Sequence, residues 1–593
     1  MQPYENLDIQ EIPLSSPFFR NKAVDFLAAN GLRLESVDVY YTVQDSRGEI
    51  LAGAGLYKDI IKCVAVSSEA RSGGLVAPLV SQLAAEAASK GYLQLKLFTK
   101  PENRSVFESL GFHEIASAPK AVLMENGRGL EQYVRRLKEA ASGPGRAGVV
   151  VMNANPLTLG HQYLVREALR HADRLFVIPV REDLSRFPTA ERLAMMQASL
   201  QGACVLEGSP YQISVATFPT YFLKNLSDAS ETQMRLDIDL FARHIAPALG
   251  VAVRFVGSEP SDNLTARYNA LMQELLPSQG IEVVEIPRLS DGGEPVSASL
   301  VRAALDDGRF AAAAALTPSP VHPFLLADLC DRALRLELDT PLKPGLVGPD
   351  GSGSHADMDY ALMQKSVSAL RPFWSRMACA ATAEELRQGG LAAEKAMLEA
   401  TGGVNTHRGA IFAVGLALNA FARHAEVIKN EADMQKCLVD LAETLLRNQQ
   451  ILSPLENTPE SHGSAAVAAY GVKGARQMAR DGYQLLFTDW LPYYRSMRFP
   501  VKPGMTSPDR FDWPSLQKTL LRIMSTLDDT CVIHRVGYER AQQVRREAGE
   551  LLERFSEEKL EAMCRQYAAE GISPGGAADM LALTIFMDSI INK

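Results

Sequence analysis

The stretch VVVMNANPLTLGH, residues 149–161, decides the fold of the first half of the chain. An apolar run ends in Asn153 and Asn155, and Gly160 and His161 then open a helical pattern. Ligands of open α/β sheets bind where strands end and helices begin, and a helix N-terminus offers N–H groups to a phosphate. A glycine lets a ligand approach the backbone, and a histidine beside it can donate to phosphate oxygens. The stretch predicts a triphosphate-binding turn, although a glycine turn followed by an ordinary histidine explains it equally well.

The segment 148–316 repeats this change from strand to helix. Its strands read GVVVMN, RLFVIPV, VRFVG and IEVVEIP, and they are apolar almost throughout, with helical patterns between them. Strands of this kind are buried on both faces of a parallel sheet. The pattern therefore predicts a Rossmann-like α/β domain.

Residues 1–125 mix strand-like runs with one clear helix. VDVYYTVQD and LQLKLFT are the strand-like runs, and LVAPLVSQLAAEAASKG carries apolar residues at helical spacing before it ends at Gly91. The segment 126–147 then holds a charged helix, GLEQYVRRLKEAAS, and a glycine-rich connection. These patterns predict an α+β domain followed by a helical linker.

A second boundary lies at the prolines of LTPSPVHP, residues 316–323. Beyond it the patterns are helical and amphipathic nearly throughout, as in YERAQQVRREAGELLERFS. The sequence therefore predicts an all-α domain over 325–593.

The composition excludes several classes of protein. The chain has 593 residues and a net charge of −9, which argues against a dedicated nucleic-acid binder. Its longest apolar stretch, GAIFAVGLALNAFA, is too short to cross a bilayer, and the N-terminus shows no secretory signal pattern. Seven scattered cysteines form no CxxC pair and are typical of reduced thiols. We expect a cytoplasmic protein that binds neither nucleic acid nor membranes.

A second motif, PVSASLVRAAL at 295–305, follows the last strand of the α/β segment. Ser297 and Ser299 are good helix-start residues whose hydroxyls can bind phosphate oxygens, and Arg302 adds a planar cationic fork. Together with the first motif, this stretch resembles the signatures of the nucleotidyltransferase superfamily. Thr158 stands at the first position of that signature, where the alternative residue is histidine.

The stretches FPTAERLAMM, ATFPTYFLK, LDIDLFARHIAPALG and GIEVVEIPRL extend the resemblance to citrate lyase ligase over most of residues 1–316. That resemblance implies an enzyme that uses ATP and acetate to acetylate the thiol of a CoA-like arm on the acyl carrier subunit of citrate lyase. The implied route is an acetyl-adenylate, with loss of pyrophosphate. The implied phosphate-binding residues are Thr158, Gly160 and His161 on one side, Ser297, Ser299 and Arg302 on the other, and Asn153 and Asn155 near the α-phosphate.

Four further residues of this segment have roles that the sequence leaves open. Arg192 is a weaker candidate for a phosphate contact. Asp237 and Asp239 could hold Mg²⁺, but a capping role for the helix LFARHIAPAL is the stronger expectation. Glu259 could meet the nucleotide or serve a turn.

The stretches KCVAVSSEARSGGLVAPLVSQ and FTKPENRSVFESLGFHEI resemble acyl-CoA N-acetyltransferases. Arg71 and Gly74 lie where a helix start would hold a CoA pyrophosphate, although Val76 stands where a second glycine is expected. The resemblance implies an acetyltransferase-like fold for residues 1–125, which we interpret as a docking site for the CoA-like arm. An independent acetyltransferase and a degenerate structural domain are the alternatives.

Glycine-rich clusters stand out in the helical segment, and each lies beside His, Asp, Lys or Arg and leads into a helix. They span residues 339–359, 394–412, 461–483 and 573–587. Glycines at helix starts suit close approach to phosphates. Lys343 and Arg408 bring positive charge, and Asp357 and Asp359 suit a magnesium-bound triphosphate. The clusters predict an active site, although a single one would more simply be a break between helices.

Three of these clusters contain TPLKPGLVGPDGSGSHADMD, GVNTHRGAIF and SPGGAADMLA, which resemble triphosphoribosyl-dephospho-CoA synthase. Leu342 is inserted, and Gly348 replaces an acidic residue. The resemblance implies that the 2′-hydroxyl of dephospho-CoA attacks C1 of the ATP ribose and that adenine leaves, which needs a base, an acid and firmly held phosphates. The candidate acids, bases or metal ligands are His355, Asp357, Asp359, Glu394 and His407, and the candidate phosphate-binding residues are Lys343, Arg408, His462 and Gly463. For each histidine, a hydrogen-bonded core or turn role remains an alternative.

The two resemblances together imply a bifunctional enzyme that maintains citrate lyase. One half would make the precursor of the prosthetic arm from ATP and dephospho-CoA, and the other would acetylate the finished arm. A pantetheine- or nicotinamide-phosphate adenylyltransferase with an accessory helical domain is one alternative. A non-catalytic scaffold that binds the carrier subunit is another.

Overall fold

The computed structural model describes residues 8–71, 74–181, 185–209, 211–213, 218–222, 226–259, 262–291, 294–447, 469–497 and 512–591. The chain forms two compact units, which divide between Val296 and Ser297. The first unit contains both large sheets, and the second is helical.

The first sheet has seven strands in the order β1-β2-β3-β4-β5-β7-β6. Neighbouring strands are antiparallel except β4 and β5, which pair in parallel through Ile60 and Ile61. The strands are β1 (Ile9–Glu11), β2 (Val39–Gln44), β3 (Ile50–Tyr57), β4 (Ile60–Val66), β5 (Lys96–Thr99), β6 (Phe112–Ala118) and β7 (Ala121–Asn126). The helices of this region are α1 (Pro17–Ala29), α2 (Val76–Ser89), α3 (Arg104–Glu108) and α4 (Gly129–Ala140). The predicted α+β mixture is confirmed, and both strand-like runs contain a strand.

The second sheet has five strands, all parallel, in the order β10-β9-β8-β11-β12. The strands are β8 (Ala147–Met152), β9 (Arg174–Pro179), β10 (Cys204–Val205), β11 (Val251–Gly257) and β12 (Glu282–Ile286). The helices are α5 (Leu159–Ala168), α6 (Thr189–Ser199), α7 (Leu226–Leu240), α8 (Ala246–Leu249) and α9 (Asn263–Leu275), and Ser290–Asp291 pairs with Glu294–Pro295 as β13 and β14. The predicted parallel sheet is confirmed. The strand order reverses beside β8, which places a ligand crevice at the carboxyl ends of β8 and β11.

The two sheets of the first unit share one hydrophobic core. Helix α4 lies in it rather than forming a free linker, because Leu130, Tyr133 and Leu137 are buried among residues of both sheets. The connection is also polar, since the Asp239 carboxylate accepts the N–H of Ser117 at 2.8 Å.

The second unit is helical in the part of the chain that the structure describes, and one isolated bridge joins Gly348 to Gly351. Its first helices are α10 (Ala298–Asp306), α11 (Phe310–Ala315), α12 (His322–Asp339), α13 (Tyr360–Cys379), α14 (Ala383–Ala400), α15 (Arg408–His424) and α16 (Glu431–Arg447). The remaining helices are α17 (Ala475–Arg480), α18 (Leu491–Met497), α19 (Trp513–Thr526), α20 (Thr530–Val536), α21 (Tyr538–Glu553), α22 (Glu557–Glu570) and α23 (Gly575–Ile591).

The second unit begins ahead of the prolines that mark its predicted boundary. Helices α10 and α11 pack on α12, and the Phe310 ring meets the Phe421 ring edge-on with centroids 5.3 Å apart. Helix α23 is buried along nearly its whole length and forms the centre of the unit. None of the described helices combines the length and the hydropathy that a membrane crossing requires.

Candidate functional sites

The turn between β8 and α5 is built around Thr158 and His161. Thr158 is the N-cap residue of α5, and its hydroxyl accepts the backbone N–H of His161 at 3.3 Å. In return, the backbone N–H of Thr158 donates to Nδ1 of His161 at 3.1 Å. This reciprocal capping satisfies two N–H groups that a helix start otherwise leaves open. It also holds the imidazole at the first turn of the helix.

The same bonds decide the protonation of His161. Because Nδ1 accepts a hydrogen bond, the proton of the neutral ring lies on Nε2. Burial, and to a smaller extent the positive charge of Arg288, lower the pKa of His161 to about 4. His161 is therefore an uncharged donor through Nε2–H at neutral pH, not a cation.

Gly160 is required by the packing of the protein itself. A Cβ atom at this position would lie 2.9 Å from the carbonyl oxygen of Val296. A backbone carbonyl cannot swing aside as a side chain can, so a larger residue would displace the chain. The sequence explained this glycine by the approach of a nucleotide or by a turn, and not by the contact with Val296.

Asn153 and Asn155 lie at the end of β8 and shape the loop that faces them. Asn155 accepts the N–H of Phe187 at 3.0 Å. Arg192 is fully buried and donates to the side chain and the carbonyl of Asn153, both at 2.9 Å, and to the carbonyl of Val180 at 2.7 Å. The expected phosphate contact of Arg192 is therefore wrong, because its guanidinium is turned to the backbone.

Arg288 is a residue of this site that the sequence interpretation missed. It follows β12, and its guanidinium forms an ion pair with Glu259, which follows β11. The Glu259 side chain is 6% exposed and that of Arg288 is 32% exposed, so the pair keeps one accessible cation near His161. The sequence did offer a signal for this pair, because Glu259 and Arg288 each follow a strand of the parallel sheet. Glu259 therefore acts here by holding Arg288.

Asp237 and Asp239 lie in the last turn of α7, which continues to Leu240. The predicted capping role is therefore wrong, since neither residue precedes a helix. Asp237 accepts the N–H of Ile213 at 3.0 Å and the hydroxyl of Tyr268. Asp239 accepts the N–H of Ser117 and pairs with Arg243 at 3.2 Å.

Arg71 and Gly74 lie in the connection between β4 and α2. Arg71 is exposed, and Gly74 has a φ of +66° with open space around its Cβ position. Helix α2 begins at Val76, so the predicted helix start is confirmed.

The second motif forms the start of α10. Ser297 is its N-cap residue and accepts the N–H of Leu300 at 3.3 Å. The hydroxyls of Ser297 and Ser299 lie 2.9 Å apart, and Arg302 is half-buried on the same helix. The two hydroxyls therefore lie together at the helix start, as the motif predicts.

In the second unit, the loop before α13 packs on the loop before α23. A Cβ at Gly345 would overlap the carbonyl oxygen of Ile572. The Ser354 hydroxyl donates to the carbonyl of Tyr567 at 2.9 Å, and Nε2 of His355 lies 2.8 Å from the Ser573 hydroxyl. Two clusters distant in the sequence, 339–359 and 573–587, are therefore neighbours.

His355 also contacts α20. Arg535 donates to Nδ1 of His355 at 3.3 Å, so in the neutral ring the proton lies on Nε2 and is donated to Ser573. Burial lowers the pKa of His355, Arg535 lowers it further, and Asp357 acts in the opposite direction from 3.7 Å.

Lys343 is buried, unlike an open phosphate-binding lysine. Its ammonium donates to the carboxylate and the carbonyl of Glu337, both at 2.6 Å, and the two side chains are 1% and 6% exposed. The charge is thus balanced within the protein.

His407 lies against this pair at the start of α15. Its side chain is almost fully buried, and Nδ1 lies 2.7 Å from the Ser366 hydroxyl. Nε2 has no hydrogen-bond partner among the described residues. Burial lowers the pKa of His407 to about 4, with a further contribution from Lys343.

The remaining predicted residues lie nearer the surface. Arg408 forms an ion pair with Glu394. Asp359 is the N-cap residue of α13 and accepts the N–H of Leu362 at 2.8 Å, and Asp357 is exposed. Within the described ranges, no group of three or more His, Cys, Asp or Glu is arranged to hold a metal ion. His462 and Gly463 lie outside the described residues.

Two acidic residues that the sequence interpretation did not select connect the helix starts. Asp529, which is buried, accepts the N–H of Cys531 at 2.8 Å and that of Ala577 at 2.9 Å, so it joins the starts of α20 and α23. Asp579 lies against Gly409, where any Cβ would overlap its carboxylate. Asp579 lies in the quoted motif SPGGAADMLA and Asp529 lies outside the quoted stretches, so only the packing of the helices shows that they meet.

Comparison with protein families divides the chain in two. Residues 147–325 match the model of the citrate lyase ligase C-terminal domain. Residues 323–593 match the model of ATP:dephospho-CoA triphosphoribosyl transferase.

Relatives exist for both halves. The [citrate [pro-3S]-lyase] ligase of Klebsiella pneumoniae is 38% identical over 317 residues, which cover 52% of this chain and 93% of that protein. A probable 2-(5''-triphosphoribosyl)-3'-dephosphocoenzyme-A synthase of Pseudomonas syringae pv. syringae is 37% identical over 280 residues, which cover 45% of this chain and 91% of that protein. Among solved structures, an acyl-CoA N-acyltransferase from Pseudomonas aeruginosa matches 21% of this chain over its whole length, with 17% identity and a TM-score of 0.18.

Proposed function

This chain belongs to the citrate lyase ligase family through its first half and to the triphosphoribosyl-dephospho-CoA synthase family through its second, and we propose that it carries out both reactions. The supporting observation is that each half covers more than nine tenths of a relative of the respective family. Both reactions serve the prosthetic arm of citrate lyase, so their fusion is chemically coherent.

In the first reaction, ATP and acetate react to acetylate the thiol on the acyl carrier subunit, and AMP and pyrophosphate are released. His161 donates from Nε2–H to a phosphate oxygen, and Thr158 keeps the ring in that orientation. The start of α5 adds backbone N–H groups, and Arg288 adds a cation fixed by Glu259. These donors stabilise the negative charge that grows on the departing pyrophosphate.

Several predicted residues complete the first site in this proposal. Ser297, Ser299 and Arg302 are further candidates for binding the phosphates, and Asn153 and Asn155 keep the loop beside the α-phosphate in place. Arg71 and Gly74 bind the pyrophosphate of the CoA-like arm at the start of α2. The acetyltransferase-like region then presents the arm and is not itself an acetyltransferase.

In the second reaction, the 2′-hydroxyl of dephospho-CoA attacks C1 of the ATP ribose and adenine leaves. Arg408 is the candidate phosphate-binding residue, and Glu394 is the candidate base. Lys343 acts through its pair with Glu337 and its neighbour His407, and His355 keeps the loop before α13 against Ser573. Asp357 and Asp359 suit Mg²⁺, which is commonly held by one or two carboxylates and substrate phosphates and would neutralise the triphosphate.

A two-part assay with the full chain tests the proposal. With ATP and dephospho-CoA, chromatography should detect free adenine in an amount equal to the new CoA derivative. With ATP, acetate and deacetylated carrier subunit, pyrophosphate should be released in an amount equal to the new thioester. An adenylyltransferase would release pyrophosphate without acetate, and a scaffold would release neither product, so either result would reject the proposal.

A further inference from the structure

The starts of two helices and the ends of two others come together around an acidic cluster in the second unit, in which Glu337 and Asp529 are buried and Asp579 is half-buried. We define the cluster as Glu337, Asp529 and Asp579 together with Tyr483. Glu337 lies in the last turn of α12, Asp529 precedes α20, and Asp579 lies in the first turns of α23. Tyr483 follows α17. Asp529, Asp579 and Tyr483 have no role in the reaction as described above, and Glu337 enters it only as the partner of Lys343.

The three carboxylates of the cluster are not equivalent. Glu337 is paired with the Lys343 ammonium at 2.6 Å. Asp529 accepts the backbone N–H groups of Cys531, Val532 and Ala577 at the helix starts. Asp579 accepts only the N–H of Ala410 among the bonds described, and it faces the negative charges of the other two. Of the three, Asp579 therefore has the weakest support for a negative charge.

The protonation of Asp579 follows from these neighbours. Burial raises its pKa well above the usual value, and the charges of Glu337 and Asp529 raise it further. The other groups that face it are the Tyr483 hydroxyl and the Cys531 thiol, whose pKa values are also raised, first by burial. Of the three carboxyl groups, Asp579 is thus the one most favoured to hold a proton that it can donate.

Tyr483 provides an independent sign that a ligand belongs here. Its side chain is 3% exposed, yet its hydroxyl has no hydrogen-bond partner in the part of the chain that is described. A buried hydroxyl without a partner costs about 1–3 kcal/mol. The residue also has a φ of +49°, which is strained for a bulky side chain and is typical of functional positions. A polar ligand atom would satisfy the hydroxyl.

The charge of the cluster indicates which part of ATP fits. The cluster offers carboxyl groups and one cation, Lys343, which is already paired with Glu337, so it is poorly suited to a triphosphate. Cleavage of the C1–N9 bond places positive charge on the ribose and leaves a basic purine, and both are favoured beside acidic groups. The cluster therefore suits the base and ribose end of the nucleotide.

We propose that Asp579 is the acid that protonates the departing adenine and that the Tyr483 hydroxyl binds the same base. This inference rests on the proposed function of the second half. The 2′-oxygen of dephospho-CoA bonds to C1 while the C1–N9 bond breaks, and the bonding electrons leave with adenine. Asp579 gives its proton to a ring nitrogen, and the resulting carboxylate recovers a proton equivalent to the one that the 2′-hydroxyl loses. The overall reaction neither gains nor loses a proton.

The first test measures adenine release by full-length Asp579→Asn and Tyr483→Phe. We expect kcat to fall by about 100-fold or more for Asp579→Asn, and by about tenfold for Tyr483→Phe, the equivalent of one hydrogen bond. Asp440→Asn and Tyr493→Phe are the matched controls, because Asp440 is exposed and Tyr493 lies on α18 outside the cluster. Pyrophosphate release by the first half should stay unchanged in all four variants, and an unchanged melting transition of the second unit verifies that this unit is folded.

A second test separates an acid from a structural residue. In 7-methyl-ATP the base already carries a positive charge and leaves without protonation, so the difference between wild type and Asp579→Asn should nearly vanish. In addition, kcat of the wild type should fall as pH rises through the raised pKa of Asp579, and Asp579→Asn should lack this limb. An equal loss with ATP and 7-methyl-ATP, or a kcat above half of wild type for Asp579→Asn, would reject the inference. A wild-type chain that releases no adenine would instead reject the proposed function.

Discussion

The first unit and the second unit each place a histidine at the start of a helix, where His161 is half-buried and His407 is almost fully buried. In both, Nδ1 faces a hydroxyl, at 2.8 Å from Thr158 for His161 and 2.7 Å from Ser366 for His407. Both histidines have a pKa of about 4, chiefly because of burial. Their surroundings differ, since His161 is near a cation fixed by one carboxylate, whereas His407 lies beside a buried ion pair.

The difference teaches that the same local structure, a neutral histidine at a helix start, can occur in a site for a negatively charged group and in a site for a positively charged one. A neutral imidazole at a helix start contributes a directional hydrogen bond and little charge of its own. The charge of each site comes from residues on other elements, Arg288 in the first unit and the acidic cluster in the second. The first arrangement suits a departing pyrophosphate, and the second suits a departing base.

The largest expected effect concerns the buried ion pair of the second unit. Lys343→Met leaves the Glu337 carboxylate buried without its cation, so we expect the free energy of unfolding of this unit to fall by about 3–5 kcal/mol. Calorimetry should show a lower melting temperature for the transition of the second unit, and the transition of the first unit should not change. The double variant Lys343→Met/Glu337→Gln should recover most of the loss, and an unchanged single variant would show that the pair contributes nothing.

The next effect concerns the donor of the first site. His161→Ala removes the Nε2–H donor, and we expect acetate-dependent pyrophosphate release to fall about 100- to 1000-fold. Adenine release by the second half should not change. His171→Ala is the matched control, because His171 is exposed on the turn after α5. If both variants behave alike, His161 does not act on the phosphates.

The lowered pKa of His161 makes the first unit sensitive to acid. A group whose pKa is lower in the folded state stabilises the fold above its unfolded pKa of about 6.5. That contribution is lost as pH falls toward the folded value of about 4. The melting temperature of the first unit should therefore fall as the pH is lowered over this range. The fall should be smaller in His161→Asn. Equal acid sensitivity of the two proteins would contradict the assignment.

The two glycines should respond differently to alanine. In Gly160→Ala the new methyl meets the backbone carbonyl of Val296, and we expect the free energy of unfolding to fall by about 1–2 kcal/mol. In Gly409→Ala it meets the end of the Asp579 side chain, which can rotate away. Stability should then change little while adenine release falls. The reverse pattern would show that the second unit is the more rigidly packed at this position.

The smallest effect is expected at the Arg408–Glu394 pair. Arg408 is more than half exposed, and ion pairs of this kind contribute about 0–1 kcal/mol. Arg408→Gln should therefore leave the melting temperature nearly unchanged, while the KM for ATP rises if Arg408 binds phosphate. An unchanged KM would remove Arg408 from the site.

Much of the fold could be predicted because burial leaves a periodic record in the sequence. Four apolar runs predicted β8, β9, β11 and β12 as strands of a parallel sheet, and Thr158 with Gly160 indicated the start of α5. The two-residue strand β10 is too short to show a period. The packing of α4 between the two sheets was also missed, because an amphipathic helix does not specify its partner.

The sites could be predicted only in part, for a related reason. Residue types and glycine clusters indicated the loops, but the loops are brought together by contacts distant in sequence. Lys343 was expected to bind phosphate because it lies among prolines and glycines, yet it is buried against Glu337. Asp579 and Arg288 were missed because their neighbours, Gly409 and Glu259, lie on other elements.

The position of α10 and α11 has a consequence for gene architecture. Sequence similarity changes from one family to the other at residues 323–325, but the Phe310 ring, upstream of that point, packs on Phe421 in the helical unit. If the gene were divided where the two families meet, the second polypeptide would lack Phe310 and would expose the Phe421 ring. The first polypeptide would carry α11 without the helices that cover it. A working split into two polypeptides would therefore need either duplication of that helix pair or compensating substitutions around residue 421.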